Sequence, residues 1–121
     1  MENTETAIIN SISCILHELG VRPNIKGYFY LRFAILITVQ TPEGMPALTK
    51  TLYPSIAAEY GTSAACVERA MRHAIATAWE RASLDTLSSY FGSTVKSVRG
   101  KPTNGEFISV VAENIKMKFS V

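Results

Sequence analysis

The residues able to do chemistry crowd into one stretch, "TSAACVERAMRHAIATAWERA", Thr62 to Ala82. Arg69, Arg72 and His73 supply cationic donors, Glu68 an acceptor and Cys66 a thiol, all set among alanines and apolar side chains. A guanidinium is a planar fork of donors that matches carboxylates, phosphates and the O6/N7 edge of guanine. The chemistry on offer is therefore recognition of anions and base edges. Bond-making is a poor fit: Cys66 and His73 are nearly two helical turns apart, beyond hydrogen-bond reach along one helix. Cys14 with His17, and Cys66 with His73, have spacings compatible with one helix face, but structural zinc sites use tighter pairs. No catalytic residue, metal or cofactor is expected.

The element that must carry these groups reads as a helix over about 64–79. At about 100° per residue, Val67, Ala70, Met71, Ala74, Ile75 and Ala78 gather on one side. Arg69, Arg72 and His73 gather on the other, with Cys66 beside them and Glu68 at a margin. The small residues of the inner face permit close approach to the preceding helix. That helix is "PSIAAEYG", with Pro54 tolerated at its start and Gly61 at its stop. Two helices joined by a tight turn make a helix-turn-helix over about 54–79, whose second helix is shaped for the major groove. An amphipathic helix is also the commonest object in any all-α protein, so the faces alone leave a solvated surface and a DNA surface as alternatives.

The rest of the chain reads as the scaffold of that pair. A first helix spans about Glu5 to Leu19, with Ile8, Ile12, Ile15, Leu16 and Leu19 at helical spacing and Gly20 as its stop. "YFYLRFAILITVQ" (28–40) is apolar almost all round. It must be buried; its β-branched end admits a strand, while its length favours a central helix. "ALTKTLY" reads as a short helix. Ser83 can cap "LDTLSSYFG", with Asp85 in the first turn and Gly92 after the end. "STVKSVRGKP" reads as a loop or short extended piece. In "TNGEFISVVAENIKMKF", Thr103 and Glu106 have capping-box spacing, and Phe107, Val110, Val111 and Ile115 form a stripe. Trp79 is expected to pack at a helix end, and Lys116 and Lys118 suit the dipole of the last helix.

Length and composition set the bounds. A chain of 121 residues, 47% apolar and 18% charged, suits one packed domain. Two distant cysteines and a start, "MENTETAI", without basic and apolar signal regions point to the cytosol. No apolar run approaches the ~20 residues of a membrane span, so no membrane partner is expected. Net charge is +2, yet residues 61–121 hold eight Lys/Arg against five Asp/Glu, while residues 1–60 hold four against five. That imbalance favours an acidic partner for the second half.

The segments "ILHELGV", "IKGYFYLR", "TKTLYPSIAAEYGTSAACVERAMRHAI", "SSYFGSTV" and "KPTNGEFI" run in order from about residue 12 to 113. Here the chain resembles the C-terminal DNA-binding effector domain of the stage-zero sporulation protein A family, the master response regulators of endospore formation. The resemblance implies an all-α single domain of about six helices around a central helix-turn-helix. It implies binding of double-stranded DNA boxes in the nucleoid, often as head-to-tail pairs, to regulate sporulation genes. It implies that Glu68, Arg69, Arg72 and His73 form the recognition surface and that Lys101 approaches DNA from a neighbouring loop. By side-chain type, Arg69 would read a base edge, while Arg72, His73 and Lys101 would hold phosphates. Ser63, Lys96 and Arg99 are further candidates for phosphate contacts.

Two departures stand out. The family typically has Ser-Arg where this chain has Ala65-Cys66. The missing serine should cost about 1 kcal/mol of helix capping unless Thr62 or Ser63 takes its place. The missing arginine removes about 1–3 kcal/mol of base discrimination, since a thiol cannot replace a bidentate fork. These departures keep a rival reading open: an interaction module of the same fold, paired with a full-length regulator or the sigma subunit of RNA polymerase. The family's receiver domain has no counterpart within the 121 residues, whose one aspartate is Asp85.

Overall fold

The computed structural model describes residues 4–92 and 101–119, and these form helices throughout. In chain order they are α1 (Thr4–Glu18), α2 (Lys26–Gln40), a π-helical turn (Leu48–Leu52), α3 (Tyr53–Tyr60), α4 (Ala64–Arg81), α5 (Leu84–Phe91) and α6 (Asn104–Phe119). There are thus six α-helices and no strand among the described residues. The loop expected over 93–102 falls mostly outside them.

The open question over 28–40 resolves to a helix, and its position explains its composition. α2 is the central element, packed against α1, α3, α4 and α6. It buries Tyr28, Tyr30, Leu31, Ala34, Ile35, Thr38 and Val39 around its circumference. A helix covered on most sides carries no polar stripe and so loses its amphipathic signature. The buried Thr38 hydroxyl donates back to the Ala34 carbonyl at 2.9 Å, which satisfies it without a partner element.

The small inner residues of α4, expected to admit the preceding helix, pack beside α3 and also admit α2 and the turn before it. A Cβ built on Gly27 would stand 2.4 Å from the Ala70 carbonyl oxygen and 2.7 Å from the Ala74 Cβ. One on Gly20 would stand 3.3 Å from the Ala78 carbonyl oxygen. The alanine row at 70, 74 and 78 is therefore a seam for backbone contact with glycine, and it fixes how deeply α4 sits.

The short helix expected at "ALTKTLY" is a π turn that runs straight into α3. Leu52 N–H donates to the Ala47 carbonyl at 2.9 Å. Its cause is Pro54, whose ring would crowd the carbonyl four residues back in a regular helix and which brings no N–H to the ladder. α3 ends at Gly61 in the left-handed region (φ 66°), and both Gly61 and Thr62 N–H groups turn back to the Ala57 carbonyl. At the other end of α4, Trp79 meets Phe91 of α5 edge-on at 4.9 Å and Phe107 of α6 at 6.3 Å between ring centres. This aromatic joint confirms the packing role expected of Trp79. The final stripe is shifted slightly: Phe107, Val111 and Ile115 are fully buried with Ile108 and Ala112, whereas Val110 lies at its margin.

Candidate nucleic-acid interface

α4 is capped by Ser63, whose hydroxyl oxygen accepts the Cys66 N–H at 3.1 Å. The capping loss expected from Ala65 is thereby made good two residues earlier. Ser63 remains exposed, but its oxygen is already engaged as the cap. The same contact bears on Cys66. Its exposed thiol is held below the ordinary thiol range, first by the Ser63 side chain, then by Thr62 and by the charge of Arg69.

The helix then separates its faces as the wheel requires. Val67, Met71, Ala74, Ile75 and Ala78 are buried and Ala70 partly so, while Cys66, Arg69, Arg72 and His73 are exposed. No described part of the chain covers the cationic side. Glu68 grips an arginine within the helix, and that arginine is Arg72. Nε donates to Oε2 at 3.0 Å and Nη2 to Oε1 at 3.3 Å, a fork-on-fork pair one turn apart. This bond, seconded by the charges of Arg72 and Arg69, holds the Glu68 carboxyl below its usual range. The Glu68 bond and charge likewise raise Arg72 above its own. Arg72 thus stands in a set orientation, whereas Arg69 projects one turn earlier with its charge felt by both Glu68 and Cys66.

Lys101 joins this surface from a different part of the chain. Thr103 and Glu106 form the expected capping box: the Thr103 hydroxyl oxygen accepts the Glu106 N–H at 3.1 Å, and the Glu106 carboxylate accepts the Thr103 N–H at 2.9 Å. The residues just before α6 are fixed by it. Lys101, Pro102 and Thr103 line a cleft of about 370 Å³ together with Glu68 and Arg72 of α4. The structure therefore brings Glu68, Arg72 and Lys101 around a single concavity. Arg69 and His73 lie on the exposed face of α4, and Ser63 and Cys66 at its N-terminus. Lys96 and Arg99 lie outside the described residues.

Two residues of this site escaped sequence reasoning. Tyr53 and Asn104 also line the cleft. The Asn104 amide donates to the Tyr53 hydroxyl at 3.0 Å and to the Glu68 backbone carbonyl at 3.2 Å. A signal for Asn104 was present in the phase of α6: position 104 precedes 107, 108, 111 and 115 at core spacing, where a polar side chain needs a partner. Tyr53 offered none, since a tyrosine at a helix start fits core and surface alike. Among the described residues no group of three or more His, Cys, Asp or Glu could hold a metal. No helix among them is long and apolar enough to cross a membrane.

The family model described as "Sporulation initiation factor Spo0A C terminal" matches residues 12–115. The match takes in α2 to α5 whole, the C-terminal half of α1 and most of α6, so both the helix-turn-helix and Lys101 fall within it.

Proposed function

This chain belongs to the Spo0A C-terminal family, the DNA-binding effector domains of sporulation initiation, and on that premise we propose that it is a sequence-specific regulator that reads duplex DNA with α4. The observation that carries this reading is the pairing of opposite properties on one helix. The inner face of α4 is locked against α2 through glycine–alanine contact, and its outer face holds Arg69, Arg72 and His73 in solvent. A reading helix needs both, a rigid seat and projecting donors.

In the proposed complex α4 enters the major groove. Arg69, unclaimed by the Glu68 fork, meets a base edge, guanine O6 and N7 being the best match. Arg72, oriented by Glu68, and Lys101 beside the same cleft hold phosphates, with His73 and Ser63 at the margins. Lys96 and Arg99 would extend the contact along the backbone. Cys66 stands where an arginine would read a further base, so one position of the site is read with about 1–3 kcal/mol less discrimination. The 121 residues act as one effector domain, a binder rather than an enzyme. It works on the nucleoid in the cytoplasm, in head-to-tail pairs on DNA and in contact with the sigma subunit of RNA polymerase.

A salt series of binding to the family's DNA box tests the reading. Kd should weaken steeply as salt rises, each phosphate contact adding about 0.9 to the slope of log K against log salt. Arg69→Ala should flatten base preference at one position, whereas Lys101→Ala should weaken all duplexes alike. Absence of binding to that box and to a randomised pool would favour the interaction module. Cys66 is the observation that still motivates it, now that Ser63 supplies the cap.

A further inference from the structure

The reciprocal box at Thr103 and Glu106 orders the start of α6 but does not by itself attach it to α4. Beside the ring contact of Trp79 with Phe107, a directional attachment runs through the Asn104 side chain. Asn104 is 8% exposed, the first residue of α6, and three residues from Lys101. Its amide reaches the Glu68 backbone carbonyl on α4 and the Tyr53 hydroxyl at the start of α3. Glu68 is also the residue whose carboxylate orients Arg72. A continuous set of contacts therefore leads from Arg72 to Glu68, to Asn104, and along three residues of chain to Lys101. Tyr53 braces the middle of it from the first helix of the helix-turn-helix.

We infer that Asn104 is a positioning residue for DNA recognition: by tying the Glu68 carbonyl to the Tyr53 hydroxyl it sets the distance between Lys101 and Arg72 at their shared cleft, so that both cations engage the backbone of one duplex together. The inference rests on the DNA-binding reading and adds to it a residue that touches no DNA. A buried amide is a costly way to fill a core position. An apolar side chain would seal the same space but could not fix the sideways register of α6 against α4, because it has no directional bond to a named carbonyl. Direction is what two cations on separate elements need if they are to meet phosphates at set spacing.

The test is an anisotropy titration of the full chain on a duplex carrying the family's box, at several salt concentrations, after circular dichroism has verified the helix content of each variant. Parent, Lys101→Ala, Asn104→Leu, Tyr53→Phe and the two double variants with Lys101→Ala are compared. In the parent, Lys101→Ala should weaken binding about three- to ten-fold and reduce the salt slope by about 1. In the Asn104→Leu and Tyr53→Phe backgrounds the same change should cost less than about two-fold, because the lysine is no longer placed. A residue that merely supports the fold would lower Tm and leave the full Lys101 effect in the folded protein; that result overturns the inference. Tyr53→Phe keeps the ring and loses one hydroxyl, so it decides the matter if Asn104→Leu does not fold. A parent that binds no duplex in a salt-dependent way defeats the DNA reading and this inference with it. A parent that binds, with the Lys101 effect undiminished in both backgrounds, defeats this inference alone.

Discussion

Replacing Gly27 by alanine separates two physical expectations of opposite sign. By helix propensity alone the change should stabilise α2, by at most about 1 kcal/mol. The contact geometry predicts the reverse. The added Cβ would stand 2.4 Å from the Ala70 carbonyl oxygen and 2.7 Å from the Ala74 Cβ. Neither obstacle is the tip of a flexible side chain; one is backbone and the other a methyl with no rotamer to change. To reach an ordinary contact of about 3.4 Å, α4 must retreat from α2 by about 1 Å. Insertions that displace backbone cost roughly 1–3 kcal/mol, and this one falls toward the upper end, so the net loss should be about 2 kcal/mol after the propensity gain. For a domain of this size that corresponds to a fall in Tm of about 8 °C, measurable by thermal circular dichroism. Gly105→Ala is the internal control. Its Cβ would meet only the Leu48 Cδ1 at 3.1 Å and the Met45 Cε at 3.4 Å, both ends of side chains that can swing aside, so its Tm should stay within about 4 °C of the parent. A Gly27→Ala protein as stable as the parent would refute the close seating of α4 on α2, and with it the rigid platform assigned to the reading helix.

Other consequences are open to direct measurement. Ser63→Ala removes the side-chain acceptor for the Cys66 N–H and should destabilise the domain by about 1 kcal/mol; an unchanged denaturant midpoint would mean that Thr62 caps instead. Tyr90 donates its hydroxyl to Glu18 across α5 and α1, and burial, then that bond and the Glu18 charge, push its pKa up to about 12. The folded state thus holds this proton more tightly than the unfolded chain. The stabilisation is whole below about pH 10 and is lost as pH rises towards about 12. Tyr90→Phe should therefore flatten the stability profile in that window and, near neutrality, lower stability without changing its slope against pH. Cys66 and Cys14 are both exposed and free, but only Cys66 lies at the proposed interface. Saturating duplex should slow iodoacetamide alkylation of Cys66 and spare Cys14, and equal protection or none at both would place the interface elsewhere.

The two faces of α4 were legible because a helix with one wet and one dry side writes both into a period of 3.6 residues. The capping box before α6 was legible for a similar reason, since Thr103 and Glu106 act within four residues of chain. Longer-range facts were not. α2 hid its type because burial all round erases the period. The partner of the alanine row could not be read, because Gly27 lies 43 positions from Ala70 and small residues declare closeness without declaring to what. Arg72 and Arg69 are equivalent by composition; only the i,i+4 relation to Glu68, realised as a bidentate pair, tells them apart. Lys101 could be placed near the interface by resemblance, but its position beside one cleft with Arg72 depends on Asn104 reaching two other helices. Pro54 was read correctly as a helix-start residue, while its effect on the preceding turn, widening it, depends on the length of helix already formed.

The aromatic joint at the end of α4 has a practical corollary. Trp79 is the sole tryptophan of the chain, and its indole is wedged against one ring from α5 and another from α6. Excitation at the red edge of protein absorbance therefore addresses a single, known spot where three segments converge. The molecule carries its own optical gauge of whether that corner is shut, readable without labels and on the far side of the reading helix from Cys66. Stopped-flow emission could thus time the closing of the corner separately from the gain of backbone ellipticity.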